Sequence, residues 1–324
     1  MNRQEILSFL GADWDRMLAL IRSCLHTDVQ LLEDTNREIL SHSGKLLRPA
    51  ISLLIAKAVS EPTEDSIHYA AASELLHNAT LMHDDVADES AERRGRPTIA
   101  ALLGPSTAVL VGDYWLARTV ELVVETARHE QVLRTFTRTL TDLAEGEMLQ
   151  LEKAGSADTT EADYLRIIYC KTASLFCAAA DSAAVSVDAA PAQREAALAF
   201  ASAFGTAFQI KDDILDYAGT DALGKPVGVD LKERKITLPL LGALEGASRQ
   251  EATRIREMVR EVPSHPEYCE QIRRFVADRG GIEFAVGRLE GWVERAVAAL
   301  DAFPEGTARQ ALTDIARYNL WREQ

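Results

Sequence analysis

The chain has 324 residues, 47% of them hydrophobic and 26% charged, which suffices for one large domain or two ordinary ones. The formal net charge of -15 makes nucleic acid and anionic lipid poor partners, because an acidic surface repels both. Four cysteines without a CxxC pair favour a reducing cytoplasm over a disulfide framework. No stretch reaches the roughly 20 apolar residues of a membrane span and the N-terminus has no signal-peptide pattern, so we expect a cytoplasmic protein.

The spacing of the prolines predicts an all-α protein. Proline in a helix interior costs about 3 kcal/mol. No proline occurs between Pro105 and Pro191, or between Pro191 and Pro226, and both stretches are rich in Ala, Leu and Glu. Apolar residues recur there at three- and four-residue spacing. We predict about a dozen helices, near residues 12–40, 46–60, 64–91, 105–127, 129–153, 161–187, 192–219, 237–247, 249–261, 266–279, 281–302 and 307–321. Without a linker or a composition shift, residues 1–324 are predicted to form one domain.

Two aspartate pentads are the most informative motifs: DDVAD at 84–88 and DDILD at 212–216, each late in a predicted apolar helix. Carboxylates at such spacing share a helix face and repel, so helix stability alone would not select them. Mg²⁺ removes the repulsion, since it prefers carboxylate, water and phosphate oxygens. One pentad alone would be read as a solvated acidic face. The matched pair instead indicates a metal site that binds a diphosphate.

Basic, glycine-bearing segments accompany the pentads. They contain Arg93 and Arg94, Lys225 and Lys235, and, earlier in the chain, Gly44, Lys45 and Arg48. Each cation alone would be read as a solvated loop residue, except Lys171, whose apolar neighbours indicate burial and therefore a partner. Together they predict two anionic ligands, one held through metal and one held directly. His77, two helix turns before the first pentad, is equally well read as a diphosphate contact or a packed core residue.

These motifs, in this order, resemble those of the trans-prenyl diphosphate synthases, and most closely the long-chain enzymes of the octaprenyl type. The matching segments are GKLLRP (44–49), ELLHNATLMHDDVADESAERRGRPT (74–98), VGDYW (111–115), AEGEMLQL (144–151), YCKTASLF (169–176), AFQIKDDILDY (207–217) and GKPVGVDLKERKITLPL (224–240). The resemblance implies an all-α fold of antiparallel helices around a deep central cavity, usually in a homodimer.

The resemblance also implies a reaction: isopentenyl diphosphate adds to an allylic diphosphate such as farnesyl diphosphate, giving a longer all-trans polyprenyl diphosphate and pyrophosphate. About three Mg²⁺ ions would be held by carboxylate oxygens. The implied metal ligands are Asp84, Asp85, Asp88, Asp212, Asp213 and Asp216, which with Lys171 form the catalytic set. The implied contacts to the allylic diphosphate are Arg93, Lys171, Thr172, Gln209, Lys225 and Lys235. Those to isopentenyl diphosphate are Gly44, Lys45, Arg48, His77 and Arg94.

Product length is predicted from three residues that precede Asp84 on its helix. Leu76, Ala79 and Thr80 lie roughly 6–12 Å from the metal end at a rise of 1.5 Å per residue. In the family, large aromatic residues there stop chain growth early. Because Ala79 and Thr80 are small, we hypothesise a tunnel left open to a long product.

Two features depart from the family pattern. Arg234 precedes Lys235 where the family often has Gly-Lys, and the C-terminal YNLWREQ has Arg322 but no basic tail. Four alternatives stay open: a short-chain farnesyl or geranylgeranyl diphosphate synthase, a terpene cyclase, an HD-type metal phosphohydrolase based on His83-Asp84, and a non-catalytic subunit of a heteromeric synthase. The second aspartate pentad argues against the last three.

Overall fold

The computed structural model describes residues 1–42, 44–93, 95–218 and 228–322, and it confirms the all-α prediction. The helices are α1 (Arg3–Cys24), α2 (Gln30–Ser41), α3 (Leu47–Val59), α4 (Glu64–Ala87), α5 (Ile99–Leu103), α6 (Pro105–Val124), α7 (His129–Ser156), α8 (Glu161–Ile168), α9 (Ser174–Ser186), α10 (Pro191–Ala218), α11 (Val229–Lys232), α12 (Leu238–Glu245), α13 (Arg249–Glu261), α14 (Tyr268–Asp278), α15 (Gly281–Ala299) and α16 (Thr307–Trp321). A π-helical segment, Tyr169–Ala173, joins α8 to α9, and a 3-10 turn, Leu300–Ala302, follows α15. Within the described ranges, the strands are β1 (Glu92–Arg93) and its antiparallel partner β2 (Arg96–Pro97).

The helix prediction for residues 12–40 is wrong, because that region forms two helices, α1 and α2. A helical segment begins earlier, at Asn2, with a capping box to Glu5, and α1 kinks at Gly11 (φ 51°), directly before the predicted start at residue 12. The third predicted helix, 64–91, ends at Ala87, since Glu89 adopts a left-handed conformation with φ 48°. Two short helices, α5 and α11, were not predicted, and α11 lies between the predicted helices 192–219 and 237–247.

The chain divides into two compact units. Unit 1 comprises Met1–Thr137, Leu175–Leu198 and Asp301–Asp314, and unit 2 comprises Arg138–Ser174, Ala199–Leu300 and Ile315–Gln324. The expectation of one domain over residues 1–324 stays a prediction. In the part of the chain that the structure covers, no helix has both the length and the apolar character needed to cross a bilayer.

The core of unit 1 lies where α4 packs against α6, and it contains fully buried aromatic residues with satisfied polar atoms. The indole Nε1 of Trp115 donates to Asn36 Oδ1 at 2.8 Å, and Asn36 Nδ2 donates to the carbonyl of Leu25 at 2.8 Å. The hydroxyl of Tyr69, on α4, lies 2.7 Å from that of Thr126, just after α6. Buried polar groups cost free energy unless they are bonded, so these contacts fix how α1, α2, α4 and α6 pack.

The core of unit 2 depends on close packing between α12 and α15. The backbone carbonyl of Pro239 lies where a Cβ on Gly281 would project, and Val276 and Ala243 close the same space. Only glycine therefore fits at the start of α15. Gly287, on the exposed side of the same helix, has open space around it.

We expect Gly281→Ala to lower the free energy of unfolding by about 1–3 kcal/mol, because the added methyl overpacks the contact between α12 and α15. Gly287→Ala is the matched control. It should raise the free energy of unfolding by up to about 1 kcal/mol, since alanine favours helix over glycine. Urea denaturation of both variants measures this, and equal effects of the two substitutions would contradict the packing described.

Candidate active site

The first pentad lies at the C-terminal end of α4 in unit 1, with Asp85 buried at 7% exposure, Asp84 half-buried and Asp88 exposed. Asp88 caps the helix, and its backbone N–H donates to the carbonyl of Asp84 at 2.8 Å. The backbone N–H of Ser90 donates to the carbonyl of Asp85 at 2.9 Å. These bonds end the helix and hold the three aspartates at its terminus.

The hairpin of β1 and β2 supplies a cation to this pentad. Arg93 Nε donates to Asp85 Oδ1 at 2.7 Å, and Arg93 pairs with Arg96 across the hairpin. Burial raises the pKa of Asp85, and the guanidinium of Arg93 beside it opposes that rise. Arg93, which is expected to contact the allylic diphosphate, therefore pairs with Asp85, which is expected to bind metal. Arg94 lies outside the described residues.

Gly112 in the VGDYW segment lets α4 and α6 approach beside this pentad. A Cβ at this position would collide with the imidazole of His83, whose Nε2 lies 3.4 Å from Asp113 Oδ1 on α6. His83 thus packs against α6, although it precedes Asp84 directly in the sequence. This arrangement gives no support to an HD-type phosphohydrolase.

The described residues expected at isopentenyl diphosphate also lie in unit 1, on α4, just before α3 and in its first turn. Lys45 is exposed just before α3, and the guanidinium of Arg48, in its first turn, stacks 4.5 Å from the ring centroid of Phe176. His77 is half-buried on α4. Half-buried Gly44 precedes the left-handed Leu46, which has φ 53°. Their role in binding isopentenyl diphosphate stays a prediction.

The three residues expected to set product length lie on α4, as predicted. Leu76 and Ala79 are buried at 0% and 1% exposure, and Thr80 is half-buried. The Thr80 hydroxyl donates to the carbonyl of His77 at 2.9 Å, so its side chain turns back along its own helix. Their effect on product length stays a prediction.

Unit 2 contains a cleft of about 90 Å³, and several of the predicted site residues line it. They are Lys171, Gln209, Asp213 and Lys235. Lys171 and Thr172 lie in the π-helical segment Tyr169–Ala173. Such π-bulges are rare in proteins overall, but those that occur are often found at functional sites. The extra residue in the turn changes the direction of the side chains.

The partners of Lys171 come from α7. Lys171 Nζ lies 2.6 Å from Glu147 Oε2 and donates to Gln150 Oε1 at 3.4 Å, which confirms the prediction that a half-buried lysine here has a partner. Gly146 permits the approach, since a Cβ there would lie 2.6 Å from Cys170 Cβ. Glu147 and Gln150 were not among the predicted site residues, although both lie in the family-like segment AEGEMLQL.

Asp213 is the most buried carboxylate of the second pentad, at 4% exposure. It accepts hydrogen bonds from the Tyr164 hydroxyl at 2.6 Å and from Gln209 Nε2 at 2.9 Å. Thr172 in turn donates to Gln209 Oε1 at 2.7 Å. Burial raises the pKa of Asp213 to about 7, while the two donors oppose the rise. Sequence reasoning missed Tyr164, which has no motif-level signal other than its place near the YCKTASLF segment.

The other two carboxylates of this pentad have different partners. Asp212 Oδ1 accepts from Arg322 Nη1 at 2.7 Å, and the buried Arg322 also donates to the carbonyl of Phe208 and to Asn319 Oδ1. Asp216 accepts hydrogen bonds from the backbone N–H groups of Val229, at 3.1 Å, and Asp230, at 3.2 Å. Burial raises the pKa of Asp216, and these amides oppose the rise. Each carboxylate is thus held by its own segment of unit 2.

Arg234, which stands where the family often has glycine before lysine, adopts a backbone conformation typical of glycine. Arg234 adopts φ 60°, the left-handed conformation that favours glycine, and its N–H donates to the carbonyl of Leu231 at 3.0 Å. The next N–H, of Lys235, donates to the carbonyl of Asp230 at 2.8 Å, which completes a Schellman motif. This turn carries Lys235 to the cleft, where it also pairs with Glu233. Lys225 lies outside the described residues.

The chemistry of these side chains fits a hard divalent cation. Within the described ranges, no three His, Cys, Asp or Glu side chains already converge to hold a metal ion. Mg²⁺ does not require such a cage, since it takes one or two carboxylates and completes its shell with water and phosphate oxygens. Burial also raises the pKa of Asp230, which lines the cleft near Asp213. Buried carboxyl groups of this kind are stabilised in their charged form by a nearby cation.

We expect Gly146→Ala to displace the π-helical segment, because the new methyl would meet Cys170. The free energy of unfolding should fall by about 1–3 kcal/mol, and binding of inorganic pyrophosphate to the Lys171 cleft should weaken. Gly155→Ala, at an open position on the same helix, is the matched control and should leave pyrophosphate binding unchanged. Calorimetric titration measures the binding, and wild-type affinity in Gly146→Ala would refute the proposed displacement.

Comparison with known proteins identifies the family. The polyprenyl synthetase family model matches residues 29–276. The all-trans-nonaprenyl-diphosphate synthase (geranyl-diphosphate specific) of Rhodobacter capsulatus is 40% identical over 99% of this chain and 98% of its own, and the octaprenyl diphosphate synthase of Escherichia coli is 36% identical over the whole of both. A crystal structure of polyprenyl synthase from Caulobacter crescentus, complexed with calcium and isoprenyl diphosphate, superimposes with a TM-score of 0.90 at 33% identity, covering 100% of this chain and 98% of that one. The chain therefore belongs to the polyprenyl synthetase family.

Proposed function

We propose that the chain condenses isopentenyl diphosphate head to tail with an allylic diphosphate and releases a long all-trans polyprenyl diphosphate and pyrophosphate. The observation that carries the proposal is the cleft of unit 2, which Lys171, Lys235 and the buried Asp213 line together. A small cleft with both lysines and an acidic group suits a diphosphate held directly and through a cation. Similarity to the nonaprenyl and octaprenyl synthases over the full chain supports the reaction and the long product.

The residues of the cleft act on the allylic diphosphate. Lys171 and Lys235 supply positive charge and Gln209 adds a polar contact, while Thr172, whose hydroxyl donates to Gln209, is proposed as a further contact. As the C–O bond ionises, its electron pair leaves with pyrophosphate, and cations already in place stabilise the negative charge that develops there. The double bond of isopentenyl diphosphate then attacks the allylic carbocation and forms the new C–C bond. Pyrophosphate takes the proton whose loss restores a double bond.

A divalent cation, Mg²⁺ in the proposed reaction, supplies Lewis-acid charge on the diphosphate when it is bound. Each aspartate pentad is proposed to supply metal ligands, for about three ions held by carboxylate oxygens. The calcium in the Caulobacter crescentus structure supports a hard, oxygen-seeking cation for the family. The burial of Asp85 and Asp213 is consistent with such a cation, since a buried carboxylate needs compensating partners for its charge.

The remaining roles rest on the resemblance. Isopentenyl diphosphate is proposed to contact Gly44, Lys45, Arg48, His77 and Arg94, and the allylic diphosphate is proposed to contact Arg93 and Lys225 as well. The cysteines described in the structure are free thiols, which supports a cytoplasmic enzyme. Of the alternatives, a short-chain synthase shares every residue of this mechanism and differs only in product length.

A homodimer is part of the proposal. Helix α6 exposes Leu110 at 68%, Val120 at 43% and Val124 at 50%, and Leu102 on α5 is exposed at 55%. Val120 follows Leu110 by ten residues and Val124 follows Val120 by four, so the three residues lie on one side of α6. An apolar face of this kind is typical of a surface that pairs with another protein. A second copy of the chain is the proposed partner.

The proposal is tested with the purified chain, Mg²⁺, labelled isopentenyl diphosphate and either farnesyl or geranyl diphosphate as primer. We expect a ladder of products that ends in a long polyprenyl diphosphate and is lost on chelation. Asp212→Asn removes a proposed metal ligand and should lower the rate by at least about 100-fold, the upper end of the loss when only a partner of a ligand is removed. Asp278→Asn, at an exposed position on α14, is the matched control and should retain the wild-type rate.

Failure of the folded chain to incorporate isopentenyl diphosphate with either primer would contradict the proposal. Pyrophosphate release from an allylic diphosphate alone would then indicate a cyclase. Activity restored only by a second polypeptide would indicate a subunit of a heteromeric synthase. Incorporation that stops after one or two additions would indicate a short-chain synthase.

We expect Ala79→Phe to shorten the product, because an aromatic ring about 7.5 Å along the helix from Asp84 would fill the space where the chain elongates. The measurement is the length distribution of the extracted polyprenyl diphosphates. Since Ala79 is fully buried, Thr80→Phe provides a second variant at a half-buried position. Unchanged product length in both folded variants would refute the open-tunnel hypothesis.

A further inference from the structure

The buried carboxylate of Asp213 is held from two sides. On one side the Tyr164 hydroxyl, from α8, donates to Oδ2 at 2.6 Å. On the other side Gln209 Nε2, one helix turn earlier on α10, donates to Oδ1 at 2.9 Å. With one donor on each oxygen, rotation of the carboxylate about its Cβ–Cγ bond would break both hydrogen bonds.

With these two hydrogen bonds made, the carboxylate of Asp213 can still accept further hydrogen bonds or bind a cation. An ionised carboxylate has about four lone-pair sites, and Tyr164 and Gln209 occupy two of them. The residue lines the same cleft as Lys171 and Lys235, where the proposed diphosphate binds. Its remaining lone pairs are therefore available to a cation that enters the cleft with that diphosphate.

Tyr164 is itself fixed by the fold. It lies on α8, which begins with a capping box between Thr160 and Asp163, and its side chain is buried at 2% exposure. A buried hydroxyl costs free energy unless it is bonded, and Asp213 is its bonded partner. Phenylalanine would fill the same volume without the donor. The role of the hydroxyl is therefore its hydrogen bond to Asp213, and the aromatic ring alone supplies the apolar packing.

We propose that Tyr164 is a positioning residue, whose hydroxyl holds Asp213 in the orientation that a divalent cation needs when it binds with the diphosphate. The inference rests on the proposed function and deepens it. Hydrogen bonds to metal-ligating carboxylates set the orientation of the ligand, and their loss typically weakens metal affinity or activity about 10- to 100-fold.

The test compares Tyr164→Phe with Tyr69→Phe. Tyr69 is a buried tyrosine of unit 1 whose hydroxyl lies 2.7 Å from that of Thr126, so the control loses a buried hydroxyl hydrogen bond that involves no carboxylate. The melting temperature is followed during Mg²⁺ titration in the presence of inorganic pyrophosphate. For Tyr164→Phe, the Mg²⁺ concentration at the midpoint of the stabilisation should rise about 10-fold or more. For Tyr69→Phe it should match the wild type, whatever that variant's own melting temperature.

A double-mutant cycle with Asp213→Asn gives an independent readout. In the Asp213→Asn background, Tyr164→Phe should shift the Mg²⁺ midpoint no further, because the positioned carboxylate is already gone. Additive effects, or a wild-type midpoint in Tyr164→Phe alone, would overturn the inference about Tyr164 and leave the proposed function intact. If wild type and Tyr69→Phe both lack Mg²⁺-dependent stabilisation by pyrophosphate and condense no substrate, the proposed function fails and the inference with it.

Discussion

Unit 2 is organised around the cost of placing three carboxylates within five residues of one helix. Like charges at helical spacing repel, and burial penalises each charge further. Separate segments of the chain offset this cost: Tyr164 for Asp213, Arg322 for Asp212, and the backbone amides at the start of α11 for Asp216. The pentad on α10 thereby ties α8, α11 and the end of α16 to itself, and Tyr164 and Asp213 both line the cleft.

Backbone geometry places the two lysines, Lys171 and Lys235, at the cleft. A π-helical segment redirects Lys171 and Thr172, and Gly146 lets α7 come close enough for Glu147 to pair with the lysine. The left-handed turn at Arg234 delivers Lys235 to the same place. Both lysines thus depend on uncommon backbone geometry, which is often retained where function requires it.

In unit 1 the first pentad lies at the end of a helix, beside the hairpin of β1 and β2. Asp85 is buried against Arg93 of the hairpin, whereas Asp88 is exposed at the helix cap. Since α4 also carries Ala79 and Thr80, a single helix sets the distance between the first pentad and the residues proposed to govern product length. The same helix packs tightly on α6 at Gly112, so its position is fixed by the core of unit 1.

The sequence by itself determined the all-α class, most helix bounds, both pentads and the family, because helical periodicity, proline placement and linear motifs are local properties. It also indicated that Lys171 needs a partner. Only the tertiary structure decided which partner each charge has: Tyr164 is 49 residues from Asp213, and Arg322 is 110 residues from Asp212. No local pattern encodes such pairs, because they arise when helices pack and the free energy of a buried charge depends on whichever group packing brings within hydrogen-bond distance.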